Sequence, residues 1–207
     1  MTHRSLPAPE VMTLLSECAP ALAAAFDLNS EPWAGAGDVR VFEGPTRIEG
    51  DFAVGPEIVV VLGDLDVSGW LSDTCDADVT LLLVTGNVRA DRALFLSQVA
   101  IGGNLDVRTL VYANALNDWS LEVAGDLSAG ALVEGGTFCK IGGAVTCPYV
   151  WSTQNAIVAG QNQTPVVKRR ERPKTELLRP ELIEDGCPNQ DAILEAMSSG
   201  APTLQDG

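Results

Sequence analysis

Histidine is almost missing from this chain. His3 is the single one, and it lies beside the N-terminus, where chains often fray. A Ser-His-Asp or Cys-His nucleophilic site needs a positioned imidazole, and catalytic zinc sites normally recruit His ligands. We therefore expect no catalytic residues, no cofactor and no metal site.

Paired cysteines and long apolar runs are missing as well. The five cysteines are odd in number and widely spaced, and none forms a CxxC pair, so neither a disulfide framework nor a zinc knuckle is expected. No apolar run reaches the roughly 18 residues that a membrane span needs. Residues 1–9 lack the apolar stretch of a secretory signal. These absences favour a reducing, cytoplasmic location.

Positive charge is scarce. The chain has 13 Lys and Arg residues and 28 Asp and Glu residues, which gives a net charge of −15. Contacts with nucleic-acid phosphates and with anionic membranes both depend on basic side chains. The hydrophobic fraction of 46% is large enough for a folded core. We expect a soluble acidic protein that binds neither nucleic acid nor membrane and whose protein partner is neutral or basic.

What the chain does contain is an internal repeat. The phrase Gly-[Asp/Asn]-[Leu/Val]-x-[Val/Ala] begins at Gly63, Gly86, Gly103 and Gly125, with a degraded copy at Gly143 and an earlier one at Gly50. Apolar residues lie two and four positions before and after each glycine from Gly63 onward, which is strand periodicity. A third apolar position follows seven residues after the glycine, at Trp70, Ala93, Leu110, Leu132 and Val150.

One such unit cannot bury its own apolar side, whereas stacked units form a continuous core. The sequence therefore predicts an all-β fold, a single-stranded parallel β-helix of about six coils over residues 39–160. Intervals of 23, 17, 22 and 18 residues between successive glycines from 63 to 143 favour a right-handed helix with loops at one corner. An antiparallel meander is the alternative. The glycines are expected to supply positive φ, and the neighbouring Asp or Asn to bond nearby backbone.

The two ends of the chain do not follow the repeat. Residues 1–38 are predicted to form an N-terminal helical cap and linker, with a helix from about Pro9 to Phe26. Residues 161–207 are predicted to form a basic linker and a C-terminal helical segment, whose helix starts after the N-cap Asn189 and stops at Gly200. Because uncovered coils expose apolar surface, both helical segments are expected to cap the solenoid.

Two corner loops are longer than the others and suggest a binding surface. If the coils stack in register, both loops leave the same edge of the solenoid, two coils apart. An aromatic anchor surrounded by acids suits a basic protein partner. The alternative is that the aromatic residues pack on the adjacent coil. The candidate partner-binding residues are Asp73, Asp76, Asp78, Tyr112, Asn117, Asp118 and Trp119.

Four further carboxylates, at Asp64, Asp66, Asp106 and Asp126, are expected to point outward beside inward positions. A ladder of such groups can bind calcium or act as an acid/base pair. The alternative is that these positions are polar only because they face solvent.

Two groups of bacterial β-solenoid proteins resemble this chain. Residues 44–160 are similar to the glycine-punctuated coils of bactofilins, which are polymer-forming cytoskeletal proteins. Pro180-Glu181-Leu182 and Gly200-Ala201-Pro202 resemble the ending of small β-helix proteins found as immunity partners of antibacterial toxins. The leading hypothesis is a non-catalytic immunity protein that occludes a basic toxin. A bactofilin-like scaffold and a small carbohydrate-active enzyme are the alternatives, and the oligomeric state is left open.

Overall fold

The computed structural model contains a β-solenoid of about six turns, flanked by short helices. It describes residues 2–73, 79–115, 119–162, 164–167 and 178–205. No helix within these ranges is long and apolar enough to cross a membrane.

Two sheets form the walls of the solenoid, and the chain alternates between them. Sheet A contains β1 (Arg4–Leu6), β2 (Val39–Glu43), β5 (Ile58–Leu62), β7 (Leu81–Val84), β9 (Gln98–Ile101), β11 (Ser120–Val123), β13 (Phe138–Ile141), β16 (Ile157–Ala159) and β17 (Thr164–Val167). Sheet B contains β3 (Thr46–Ile48), β4 (Phe52–Val54), β6 (Leu65–Asp73), β8 (Val88–Phe95), β10 (Leu105–Ala113), β12 (Leu127–Glu134), β14 (Val145–Thr146) and β15 (Tyr149–Ser152).

The pairing from β2 to β16 in sheet A and throughout sheet B is parallel, which confirms the β-helix and excludes the meander. The apolar positions two and four residues from Gly63, Gly86, Gly103 and Gly125 stack in columns. The copy predicted at Gly50 was wrong, because Thr46 pairs with Leu65 and Gly44 is therefore the equivalent of Gly63. One column in sheet A runs through Val59, Leu82, Val99, Leu121 and Cys139, all of which are buried. The core is therefore a stack of equivalent residues from successive coils.

The third apolar position of the repeat was predicted wrongly in two coils. β6 and β10 each shift register, between Val67 and Trp70 and between Val107 and Leu110. A shift of one residue turns a side chain to the opposite face of a sheet. The interior residues are consequently Leu71 and Val111, while Trp70 and Leu110 lie in the apolar cluster on the outer face of sheet B.

The repeat glycines are required by space and, at most positions, not by a positive φ. Gly86, Gly103, Gly125 and Gly143 are absent from the left-handed region, contrary to expectation. A Cβ on Gly103 would lie 2.8 Å from the backbone of Gly86 in the preceding coil. The Gly103 N–H donates to the Gly86 carbonyl at 2.9 Å, so the two backbones meet without room for a side chain.

Helical segments occur at both ends of the chain. They are α1 (Ala8–Cys18) and α2 (Pro20–Ala25), then a 3-10 helix (Pro180–Leu182), a short hairpin of β18 (Ile183–Glu184) and β19 (Cys187–Pro188), and α3 (Gln190–Ser199). Asn189 caps α3 as predicted, with its side chain accepting from the Ala192 N–H at 3.0 Å. The basic stretch 168–174 lies outside the described residues.

These helices pack on the sides of the solenoid. Val11 and Leu15 of α1 belong to one apolar cluster with outward residues of β2, β5 and β7 in sheet A. Ile193 and Met197 of α3 belong to another, on the outer face of sheet B. Two antiparallel strands, β1 on β2 and β17 on β16, are what close sheet A at its two ends.

Candidate functional site

Asp73, the first of the predicted partner-binding residues, has no exposed surface. Its carboxylate accepts hydrogen bonds from the backbone N–H groups of Leu96 and Ser97 and from the Ser97 hydroxyl at 2.6 Å. These residues form the short turn between β8 and β9 in the next coil. Burial raises the pKa of Asp73 to about 6, against the opposing effect of the hydrogen bonds. Asp73 therefore holds a turn and is not available to a partner.

Tyr112 is buried as well, and its aromatic ring lies beneath the C-terminal segment. It shares an apolar cluster with Ile193 and Met197 on the outer face of sheet B. Its hydroxyl accepts from the Asn114 side chain at 3.1 Å, and burial raises its pKa. Tyr112 therefore packs within the molecule, which was the alternative given for the aromatic residues, and it is not a surface anchor for a partner.

Trp119 lies in a different part of the molecule from Tyr112. Its half-buried ring is 5.4 Å from the ring of Trp33, centroid to centroid, in the cluster under the N-terminal segment. The two predicted aromatic anchors thus belong to the outer faces of different sheets, and the structure does not bring them together.

The remaining predicted partner-binding residues, Asp76, Asp78, Asn117 and Asp118, lie outside the described residues. The two loops that contain them follow β6 and β10. Both connect sheet B to sheet A, so both leave the same corner of the solenoid, with the coil of β8 and β9 between them.

The repeat Asp and Asn residues form a hydrogen-bonded ladder along the opposite corner, where sheet A turns into sheet B. Each side-chain Oδ1 accepts from the backbone N–H of the equivalent residue in the next coil. The links are Asp64 to Asn87 at 2.7 Å, Asn87 to Asn104 at 2.9 Å, Asn104 to Asp126 at 2.8 Å and Asp126 to Ala144 at 2.7 Å. The ladder satisfies backbone donors at the corner and fixes each side chain against the next coil.

Asp66 and Asp106 lie next to this ladder on the outer face of sheet B. Both are in register with Arg89, which stands between them on β8. We call the four carboxylates of Asp64, Asp66, Asp106 and Asp126 the acidic edge. A groove of about 250 Å³ lies at one end of it and is lined by Asp106 and Asp126 together with Arg89 and Asn104.

The carboxylates of the acidic edge take part in no ion pair with the described basic side chains. Most basic side chains of the described residues are already paired with a carboxylate; they are Arg4, Arg40, Arg47, Arg92, Arg108, Lys140 and Arg179. No carboxylate of the acidic edge has a Lys or Arg nitrogen of the described residues within 4.0 Å. The edge therefore presents negative charge that no described cation neutralises at contact distance.

Glu134 is a buried group that sequence reasoning missed. It ends β12 just as Asp73 ends β6, and its Oε2 accepts from the Ser152 hydroxyl at 3.0 Å and the Asn155 N–H at 2.9 Å. The signal was an acid at the last position of an apolar strand, immediately before a corner. Its hydrogen bonds hold the turn of the next coil, which makes it a second structural carboxylate.

Within the described part of the chain, no three His, Cys, Asp or Glu side chains are grouped so that they could hold a metal ion. No protein-family model, no curated protein and no solved structure matches the sequence or the fold. Among the carboxylates that the sequence analysis singled out and the structure describes, Asp73 is buried, whereas the four of the acidic edge reach the surface.

Proposed function

We propose that this chain is a non-catalytic bacterial binding protein that engages a basic protein partner through the acidic edge. The observation that carries the proposal is a set of four surface carboxylates, none of which has a Lys or Arg nitrogen of the described residues within 4.0 Å, in a molecule of net charge −15. A field of one sign raises the rate of encounter with a partner of the opposite sign and selects against acidic competitors.

The acidic edge is also rigid, and this favours binding. Asp64 and Asp126 are held by the ladder, while Asp66 and Asp106 stand on strands whose spacing is set by the sheet, about 4.8 Å between neighbours. Little side-chain entropy is lost when such pre-organised groups meet a cation. A partner that presents Lys or Arg side chains along one face would fit this edge.

The finer proposal is that the partner is an antibacterial toxin and that this chain is its immunity protein. The ending of the chain, which resembles such proteins, has a structural role here: Pro180 to Leu182 form the 3-10 helix, and Gly200 ends α3 in the left-handed conformation. The proposal that the partner is a toxin therefore rests on two arguments. The acidic edge suits a basic partner surface, and the C-terminal sequence resembles that of immunity proteins.

Co-expression with the product of the neighbouring open reading frame tests the proposal. We expect the chain to co-purify with that product and to relieve its toxicity. The double variant Asp66→Lys/Asp106→Lys should weaken binding by roughly 10- to 100-fold, mainly through slower association, because it reverses the field of the edge.

The matched control is Glu10→Lys/Glu17→Lys, which makes the same change in net charge on exposed positions of α1. Equal weakening by both double variants would show that net charge alone matters and that the edge is not the site. If no partner binds and toxicity is unrelieved, the immunity function is wrong.

A further inference from the structure

The last coil of the solenoid contains no charged residue. Residues 141–167, which span β14 to β17, include no Asp, Glu, Lys, Arg or His, although 20% of the whole chain is charged. Exposed sheet edges in natural proteins usually contain charges that prevent strand addition. Proline also hinders strand addition, because it lacks a backbone N–H, and Pro148 lies between β14 and β15.

This uncharged coil is also the open end of sheet B. β14 and β15 both pair with β12, and no strand of the described residues lies on their other side. Interior residues of this coil are only partly buried, whereas their counterparts one coil earlier are buried; the pairs are Val145 with Leu127, Cys147 with Ala129, and Val150 with Leu132. Tyr149 on β15 is 53% exposed.

At the opposite end of the solenoid, sheet B ends in the edge strands β3 and β4, and this end is charged. The Arg40 guanidinium lies 5.7 Å and 5.5 Å from the ring centroids of Phe42 and Phe52, and it pairs with Glu57. Arg47 on the edge strand β3 pairs with Glu49 at 2.8 Å, and both side chains are exposed. Charged side chains at this edge oppose the addition of a further strand.

We propose that two copies of this chain associate tail to tail through the open end, with β15 of one copy antiparallel to β15 of the other. A two-fold axis across this edge makes the pairing self-complementary, because each strand offers the other the same donors and acceptors. Two chains of net charge −15 repel each other, and an uncharged end is where they can meet at the least electrostatic cost.

The same features limit the assembly to two copies. β17 already closes sheet A at this end, so the pairing is confined to sheet B. The charges at the opposite end, around the edge strands β3 and β4, disfavour the addition of another copy there, so no growing filament is expected. The interface is one coil wide, and a dissociation constant on the order of 10 to 100 µM is expected of so small a contact. This inference does not depend on the proposed function.

Sedimentation velocity across roughly 1 to 300 µM, in about 0.15 M salt to screen the net charge, measures the association. We expect a monomer–dimer equilibrium for the unmodified chain. Tyr149→Glu should weaken it by at least about tenfold, because it places one negative charge from each copy at the interface. The matched control is Phe138→Glu, since Phe138 is 44% exposed on the outer face of sheet A.

Hydrogen exchange at low and high protein concentration locates the contact. Amides of β15 should gain protection in the dimer, while those of β3 and β4 should not change. A monomer at every concentration, equal weakening by the two variants, protection at β3 and β4, or filaments in electron micrographs would each overturn the proposal. Loss of partner binding in Asp66→Lys/Asp106→Lys with the dimer intact would separate this surface from the acidic edge.

Discussion

The carboxylates of this protein have two distinct roles that depend on where along the strand each one lies. Asp73 and Glu134 end their strands with side chains turned inward, and each accepts several hydrogen bonds from a turn of the next coil. Asp66 and Asp106 occupy strand positions that face outward and have no such bonds among the described residues. Carboxylates therefore build the corners of the core and also charge the surface.

Asp73 should make the stability of the protein depend on pH. Its pKa of about 6 in the folded state exceeds the ordinary value of 3.8, so the folded state binds this proton more tightly than the unfolded state does. The contribution is full below about pH 4 and is lost as pH rises through 6. At about 1.4 kcal/mol per pKa unit, it amounts to roughly 3 kcal/mol.

Urea unfolding of the unmodified chain and of Asp73→Asn between pH 4 and 7 checks this. As pH falls, the unfolding free energy of the unmodified chain should increase relative to that of Asp73→Asn. The exposed Asp106→Asn serves as control, and its difference from the unmodified chain should vary much less. Parallel pH curves for the unmodified chain and Asp73→Asn would show that Asp73 does not titrate in this range.

At the scale of one coil, the repeat phrase describes two contacts between neighbouring coils. The glycine allows the backbones of successive corners to meet, and the following Asp or Asn bonds the next corner. Both contacts reach the adjacent coil, so neither contributes to an isolated unit. The phrase is consequently strictest in the coils that have a neighbour on each side, and its last copy, at Gly143, is degraded.

Gly103→Ala should destabilise the fold because its Cβ has no space. The new methyl group would lie 2.6 Å from the Asn87 side chain and 2.8 Å from the Gly86 backbone, and the backbone atoms cannot move without disturbing the coil. We expect a loss of about 2 kcal/mol or more in the free energy of unfolding.

Gly55→Ala is the matched control for this measurement, because the nearest atom to its Cβ would be 3.9 Å away. That variant should be neutral, or more stable by up to about 1 kcal/mol through reduced entropy of the unfolded chain. Equal effects of the two substitutions in denaturant titrations would contradict the steric explanation.

At the scale of the whole molecule, the sequence predicts the interior of the coils well and the outer faces of the two sheets poorly. Apolar positions at a spacing of two identify the interior because every coil repeats the same requirement. The extra residue in β6 and β10 is invisible to that pattern, since Trp70 and Leu110 are apolar on either face. On the outer face, Leu110 is buried and Trp70 is half-buried, and both belong to the cluster that the C-terminal segment covers.

The sequence placed the outward carboxylates correctly and two of the predicted partner-binding residues wrongly, for a related reason. Asp64, Asp66, Asp106 and Asp126 were correctly expected to face outward, because they alternate with interior residues. Asp73 and Tyr112 were assigned to the surface because they adjoin polar loops. Their burial depends on the turn of the next coil and on α3, which are distant in sequence and have no pattern in common with them.

The net charge of −15 should make the whole fold more stable as salt is added. Ion pairs such as Arg47–Glu49 and Arg179–Glu181 are largely exposed and are each worth well under about 1 kcal/mol, so their screening costs little. Repulsion among the excess carboxylates acts over the whole compact molecule and is weakened once the Debye length falls to about 8 Å.

We expect the unfolding temperature to rise by a few degrees, roughly 2 to 4 °C, between about 0.02 and 0.3 M sodium chloride. Potassium chloride should give the same rise, and the Asp66→Lys/Asp106→Lys variant, with less excess charge, a smaller one. A fall in the unfolding temperature over this range would mean that the ion pairs stabilise the fold more than the repulsion destabilises it. The acidic surface would then be neutralised within the molecule, which would argue against a basic partner.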